Sequence, residues 1–375
     1  MSESRGETLR CLLLARGGVL YGSQWQLLYL VGGLDRWRFE PIVVADRAGP
    51  FTDTLRARGV EAHVLPMRPW RGFPRSVLRY ADAWRIARLA RARGARLVHA
   101  SDIARCGYMH FVARRLGIPS LLHIRGRIPP RRITKHRIAR ATAVATIAAR
   151  YRQDLIEAGL PAERIAVIDD AVDLERFRPH LAGGDHLRRR FGADGQVLVG
   201  LVGRIEPSKR VLEFLEAVAA VAPEARRRAS FLIVGQPKNQ DYCRLARDAT
   251  RRLGIDDRVV FTGHCRDMPE VMSGLDVLAT MSGGSVMFEA MACARCVLSV
   301  RPDGRHSEHT RHGQTAWCVT TDGPAPVGEA LARLIEDEPL RQRIGLAARA
   351  WAEQHLSPAI MVARTQALYE RLAGP

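Results

Sequence analysis

No stretch of the 375 residues is apolar for long enough to cross a bilayer as a helix. The start, MSESRGETLR, is polar, and the apolar run after it, residues 11–15, is far too short for the h-region of a secretory signal. The expectation is a soluble globular chain of the cytoplasm. Its seven cysteines are scattered without framework spacing, which suits a reducing compartment. One pair, Cys293 and Cys296, is spaced C-x-x-C, but no second pair or nearby His-x-His cluster completes a metal site, so none is expected. Repeats, low-complexity segments and coiled-coil heptads are missing, which excludes solenoids and fibres. No G-x-G-x-x-G follows the first strand, which excludes a lone dinucleotide-binding domain.

Lysine is nearly absent, and almost all positive residues are arginine. Acidic residues are scarce in one place. Net charge is +19, and residues 1–180 hold 32 Lys+Arg against 16 Asp+Glu, a net of +16. Between residues 68 and 152 there are 21 basic residues and two acids, Asp82 and Asp102. Such asymmetry points to an anionic partner: an acidic membrane surface, an anionic or phospholipid-linked acceptor, or nucleic acid. Nucleic acid is the poorest fit, because the segment has no aromatic platforms and no recognition motif.

The length suits two domains. Short apolar strands alternate with amphipathic helices, which argues for α/β architecture with parallel sheets. In the first half, Leu9–Ala15, 41–45, 63–66, Leu97–Ala100, Ser120–Ile124, Ala143–Thr146 and 165–168 read as strands, with helices at 24–34, 51–58 and 77–93. Residues 178–196, with Pro179, a Gly-Gly pair and a run of charges, read as the linker region. Val197–Val202, 230–234, 259–262, Val277–Thr280 and Cys296–Val300 then begin a second unit of the same kind, and the last helices lie within 327–373. The expected division is an N-terminal domain over 1–182, a linker over 183–196, a C-terminal domain over 197–355, and a final helix over 356–375 that packs back on the N-terminal domain. Two Rossmann-like, doubly wound domains facing each other would leave a cleft at the carboxyl ends of their strands.

Two segments carry chemistry. In Val199-Gly200-Leu201-Val202-Gly203-Arg204 a strand ends at Gly203, and Lys209 follows five residues after Arg204, near the start of a helix. Two fixed cations at a helix N-terminus suit a diphosphate. In the second segment, MSGGSVMFEAMA, Gly283 and Gly284 let the backbone approach a ligand, and Ser285, Val286 and Met287 can present amides. Glu289 lies on the first turns of that helix, where it can accept hydrogen bonds from the two hydroxyls of a ribose.

The runs GLVGRIEPSKRVLEFLEA, VVFTGHCRDMPEVMSGLDVLATMS and FEAMACARCVLSV resemble the donor-binding domain of GT-B glycosyltransferases of family GT4. YGSQWQLLYLVGGL, GIPSLLHIRG and RIAVIDDAVDLERFRP resemble the same family's N-terminal half, in the right order and spacing. The resemblance implies a retaining transferase of the hexosyl type that uses a nucleotide-sugar, with no metal or other cofactor. It matches Arg204 and Lys209 to the pair that holds the donor diphosphate, with Gly203 beside them, and Glu289 to the acid on the nucleotide ribose. It matches the loop 263–266, with Gly263 and His264, to the region lining the base, and Glu308 to an acid in a loop after the donor site. From the other domain it matches His123 to a His near the transferred sugar, and Gly22 and Ser23, with Gly17 and Gly18 close by, to a turn that approaches the donor phosphate. Arg125 and Arg127 can bind acceptor phosphate or belong to the basic surface.

The chain departs from the family pattern as well. The family has E-x7-E ending at Glu289, and Met281 holds the first position by count. Asp276 lies thirteen residues before Glu289, about four too few, so the first acid reads as deleted. Asp303 or Glu308 are the acids available to replace it. Asp170-Ala171 stands for the usual Asn-Gly, and Ala294 and Cys296 for a Gly and a Pro. Two rivals follow from the missing acid and the layout: a GT-B scaffold that binds nucleotide or glycan without turnover, and a sugar-nucleotide epimerase. The expected partners are a nucleotide-sugar, a glycan or lipid-linked acceptor, and an anionic membrane surface met through the basic half. That field disfavours a cationic acceptor such as an aminoglycoside.

Overall fold

A computed structural model of the chain describes residues 8–70, 76–180, 182–191, 195–321 and 323–374. It separates into two compact units, one running to Ala171 and taking back the chain from Pro358, the other Val172–Ser357.

The first unit is built on seven strands: β1 Leu9–Ala15, β2 Phe39–Ala45, β3 Glu61–Val64, β4 Leu97–Ala100, β5 Ser120–Ile124, β6 Ala143–Thr146 and β7 Ile165–Val167. Their order is β3-β2-β1-β4-β5-β6-β7, all parallel. Parallel strands buried on both faces need continuous apolar runs, which β1 supplies as Cys11-Leu12-Leu13-Leu14, all fully buried. Each such leucine contributes about 1.5–3 kcal/mol. Leu12 and Leu14 join one core layer and Leu13 the other, as a period of two requires. The C-terminal helix Pro358–Ala373 packs in this unit. Its Met361, Val362, Leu368 and Tyr369 share a core with Leu27 and Val31 of the helix Gly22–Gly33.

The second unit holds six parallel strands: β8 Val197–Val202, β9 Ala229–Val234, β10 Val259–Gly263, β11 Val277–Thr280, β12 Cys296–Val300 and β13 Trp317–Val319. Their order is β10-β9-β8-β11-β12-β13. In both sheets the order reverses beside the first strand of the unit, at β1/β4 and at β8/β11. At such a switch point, connections leave to opposite faces and open a crevice at the carboxyl ends of the strands.

The boundaries differ from expectation in the middle of the chain. Residues 172–180 belong to the second unit. The Val172 amide donates to the Leu356 carbonyl at 2.9 Å, Phe177 is buried in that unit's core, and Arg349 donates to the Leu174 and Phe177 carbonyls. The expected linker 183–196 contains most of a helix, Ala182–Arg190, which packs on the helix Met268–Gly274 where Gly184 meets Gly274. Arg188 fastens it, donating to Asp276 and to the Gly274 carbonyl, both at 2.9 Å. Asp185, Arg189 and Arg190, charges that made the segment read as a linker, are its exposed face; residues 192–194 lie outside the described residues. β13 is the strand that the sequence did not disclose. It has only three residues, none fully buried, at the sheet edge.

Candidate functional site

The second sheet's switch point carries an open pocket lined by the end of β8 (Val202, Gly203, Arg204), by Lys209, and by the end of β11 (Thr280, Met281, Ser282, Gly283). Its shape depends on glycine. Gly203 leaves β8 at φ +151° and Gly235 leaves β9 at φ +148°. A Cβ on Gly235 would stand 1.9 Å from the Gly203 carbonyl oxygen, so any side chain there would push the floor of the pocket apart.

From Gly203 the chain passes Arg204 and makes one 3-10 turn, Pro207–Lys209, before the helix Val211–Ala219 begins. The helix thus starts two residues beyond Lys209, with Arg210 in the left-handed region (φ +55°) between them. Glu206 ties the turn together, pairing with Arg204 at 2.8 Å and Lys238 at 2.9 Å. Its carboxyl is held below the usual range by the Lys238 hydrogen bond, against the opposing effect of burial, with further help from Ser208 and the Arg204 charge.

The Lys209 ammonium is the exception in this set. Its stem runs along Gly203, and Nζ ends 3.8 Å from where a Cβ of Gly284 would stand. Burial lowers its pKa, and the Arg204 charge lowers it further, against a smaller opposing effect of Glu206. Among the described residues no hydrogen bond or ion pair reaches it. A sheltered cation beside a second cation, with no counter-charge of its own, is a site for an anion.

Facing it, the turn after β11 is held open. The Gly283 amide donates to the Thr280 hydroxyl at 2.9 Å, and Arg301, paired with Asp303 at 3.0 Å, donates to the Ser282 carbonyl at 2.9 Å. Nothing in the sequence singled out Thr280, Ser282 or Arg301; a small polar residue at a strand end was the available signal. Asp303 is committed to Arg301. Met281, which holds the first acid's place by count, is 2 % exposed and belongs to the core. Met287 is likewise a core side chain, and its amide is taken by the Gly284 carbonyl at 3.2 Å.

Glu289, on the short helix Val286–Ala292, is half-buried and has no hydrogen-bond partner among the described residues. Burial pushes its carboxyl up to about 7, against the pull of Arg176. A ligand whose hydroxyls donate to the carboxylate prefers the ionised form. Its affinity should therefore fall as pH drops through that value, by about tenfold between pH 8 and pH 6. Calorimetric titration of nucleoside diphosphate against pH checks this, and Glu289→Gln should flatten the profile.

The remaining residues of this half lie at the same carboxyl edge without lining the pocket. Gly263 ends β10 at a register shift, its carbonyl taking the Gly235 amide, and His264 beyond it is exposed. Glu308 is exposed in the segment after β12. The Cys293 and Cys296 thiols are buried, and burial pushes both up to about 12, which keeps them protonated and inert.

In the first unit, the turn after β1 packs against the loop after β2. The Gly17 amide donates to Asp46 at 2.7 Å, a Cβ on Gly17 would lie 2.0 Å from the Arg47 carbonyl oxygen, and Asp46 is held in turn by buried Arg105 at 2.9 Å. Gly22 opens the following helix, and the Ser23 hydroxyl donates to Gln24 at 3.1 Å. His123, near the end of β5, is 4 % exposed, and its Nε2 has no partner among the described residues. It stacks on His99 at 5.8 Å between ring centroids, and burial drives both imidazoles to the neutral form, His99 down to about 3. His99 Nδ1 shares a 2.7 Å hydrogen bond with Tyr369 of the C-terminal helix. Arg125 is largely withdrawn from the surface, with 16% of its side chain exposed, and is paired with Asp170, while Arg127 is exposed.

Two family models match the chain. One described as "Glycosyltransferase Family 4" covers residues 21–176, and one described as "Glycosyl transferases group 1" covers residues 196–337. The chain belongs to glycosyltransferase family 4. Among curated relatives, this family member is 36% identical over 165 residues to a 2-deoxystreptamine glucosyltransferase of Streptomyces kanamyceticus, covering 41% of each chain. It is 28% identical over 347 residues to a GDP-mannose-dependent alpha-mannosyltransferase of Mycobacterium tuberculosis, covering 84% of each. The matched part spans about half or less of the length of the first three relatives, 41%, 45% and 51%. A crystal structure of Anabaena Alr3699/HepE in complex with UDP and glucose shares the fold, with a TM-score of 0.83 over 97% of this chain and 100% of that one, at 20% identity. The fold is thus the α/β, two-domain GT-B class.

Proposed function

We propose that this glycosyltransferase moves a hexosyl group from a nucleoside-diphosphate sugar to a glycan or lipid-linked acceptor, with retention at the anomeric carbon and no metal. Cell-surface polysaccharide or glycolipid synthesis is its setting, in the cytoplasm and peripherally at the inner face of the membrane. The observation that carries the reading is the Lys209 ammonium, unpaired among the described residues and beside Arg204 at the β8/β11 switch point. As the anomeric C–O bond breaks, negative charge collects on the departing diphosphate. Two cations preset where that charge arises stabilise the transition state more than the ground state. The acceptor hydroxyl attacks the same face, and its proton passes to a donor phosphate oxygen. Glu289 takes the ribose hydroxyls. Gly203, Gly284 and the amides of Ser285 and Val286 line the donor, and Met287 contributes packing alone. The roles of His123, Gly22, Ser23, Gly263, His264 and Glu308 follow the family resemblance. Among the described residues no helix is long and apolar enough to cross a membrane, and the basic first unit supplies the surface attraction.

A thermal-shift screen against UDP, GDP and other nucleoside diphosphates and their sugars tests the donor site, because a ligand that binds only the folded state raises its stability. A rise of several degrees with one nucleotide is expected, and no rise with any of them overturns the reading. Incubation with the selected donor then separates the rivals. Transfer or slow donor hydrolysis supports the enzyme, a bound but unreacted donor identifies a binding scaffold, and an epimerised donor without acceptor identifies an epimerase. The acceptor arm includes 2-deoxystreptamine, named in the Streptomyces relative. Its amines oppose the net charge of +19, so turnover with an anionic glycan or lipid acceptor is expected to exceed it.

A further inference from the structure

The helix Ser76–Ala92 is built inside out. A helix lying on a sheet places its large apolar residues inward and its polar ones outward. Here the inward positions are mostly small, with Ala83, Ala87 and Ala90 buried alongside Ile86. Ile86 and Leu89 pack inward, but four other large apolar residues face out: Val77 is 72% exposed, Leu78 49%, Tyr80 49% and Trp84 48%. These four are among only nine large hydrophobic residues so exposed in the described part of the chain. The next turns of the same outer face carry Arg85, Arg88 and Arg91, and Arg115 of the neighbouring helix lies over the Trp84 ring at 5.4 Å.

Acid neutralises little of this face: Asp82 reaches one of its arginines, Arg85, at 3.9 Å. Asp82 is fully buried and bound by Arg68 at 2.6 and 2.7 Å, and Asp102 caps a 3-10 turn through the amides of Ala104 and Arg105. Those are the only acids between residues 68 and 152, against 21 basic residues. Among the described residues no ion pair reaches Arg88, Arg91, Arg114 or Arg115. An aromatic and aliphatic tip followed by three arginines, of which Arg85 alone meets an acid among the described residues, matches the layering of an anionic bilayer surface, with acyl chains below phosphate.

The face is also at the useful end of the unit. β3 is parallel to every other strand of its sheet, and this helix is the next one after it. Its first turns therefore sit at the carboxyl end of the strands, where the turns after β1 and β5 also emerge.

We propose that the outer face of this helix, with Leu78, Tyr80 and Trp84 entering the headgroup region and Arg85, Arg88 and Arg91 on lipid phosphates, docks the protein on an anionic membrane. The proposal rests on the transferase reading only in holding that the acceptor lies at that surface; the docking itself stands on this face alone.

Vesicle sedimentation at low salt tests it, comparing phosphatidylcholine alone with mixtures containing phosphatidylglycerol. The wild-type chain should pellet with the anionic vesicles and not the neutral ones. Leu78→Glu with Trp84→Glu should lower the bound fraction by at least about fivefold, and Arg88→Glu with Arg91→Glu by about tenfold. Leu346→Glu, at an exposed leucine of the second unit, should pellet like wild type. Circular dichroism melts show that the variants fold. Equal binding to both vesicle types, or folded variants that bind like wild type, overturns the proposal. So does a wild-type dimer that Trp84→Glu dissociates, or displacement from vesicles by substoichiometric nucleic acid. Nucleotide-induced thermal shifts in the same variants read the donor site separately: they should be unchanged, and their absence in the wild type would overturn the transferase reading while leaving the docking result intact.

Discussion

Replacing Lys209 with methionine is expected to lower sugar transfer by about 10²–10³-fold while leaving the melting temperature unchanged or higher. Both halves come from the same geometry. The ammonium is sheltered, lies beside the Arg204 guanidinium and has no hydrogen-bond or ion-pair partner among the described residues. Its pKa in the folded chain is therefore below that of the unfolded chain, because burial and then Arg204 disfavour the charged form. A depressed lysine pKa means that the unfolded state binds the proton more tightly, so the charge opposes folding at neutral pH. The penalty lifts as pH rises through the folded-state pKa. Methionine keeps the stem that lies along Gly203 and removes the charge, so its gain in stability should be largest near neutrality and shrink at alkaline pH. A structural lysine would behave the other way, losing stability with its charge. Steady-state assays with donor and acceptor, beside melts at neutral and alkaline pH, check the pair of effects. Wild-type turnover with lowered stability would remove Lys209 from the donor site.

Much of this fold is legible in the sequence. β1, β4, β5, β6, β8, β11 and β12 are legible to the residue, since each is a short apolar run bounded by a turn, and strands buried on both faces have no other way to read. That Gly203, Arg204 and Lys209 come together was legible too, because they are close in sequence and their turn is local. What escaped depends on contacts between distant residues. The helix Ala182–Arg190 reads as a charged linker until Arg188 is seen on Asp276, and Gly184 against Gly274. The bracing of the Gly283 turn by Arg301 needs two strands placed side by side. Met281 illustrates a third kind: counting puts it at the place of an acid that reads as deleted, and only packing shows that its side chain fills the core. Arg125 is similar, since its partner Asp170 lies 45 residues away and a run of surrounding arginines makes it look like one more surface charge.

That pair carries the other large effect. Arg125→Ala is expected to destabilise the first unit by about 3–5 kcal/mol, the cost of leaving a buried charge without its partner. Asp170 is 6 % exposed, and the Asp169–Ala171 segment around it is pinned on both sides. Gln26 exchanges two hydrogen bonds with the Ala171 backbone at 2.7 and 2.8 Å, and Arg364 of the C-terminal helix binds Asp169 at 2.9 Å. The carboxylate cannot swing to water without breaking those contacts. Asp170→Asn should cost less than Asp170→Ala, because an amide oxygen still accepts from the guanidinium. Arg125 would then keep one neutral acceptor but lose its counter-charge beside the His99 and His123 rings. Burial already brings Arg125 down to about 10 and holds both imidazoles neutral, so no neighbour can release a proton to relieve the excess charge near neutral pH. Removing both partners, Arg125→Met with Asp170→Asn, should recover much of the loss, as it does when a buried ion pair is exchanged for groups of similar volume. Denaturant melts of the two single variants and the double variant, combined as a mutant cycle, measure the coupling. Additive losses would mean that the two side chains stabilise the unit independently and that the turn after β5 is not held by their charge.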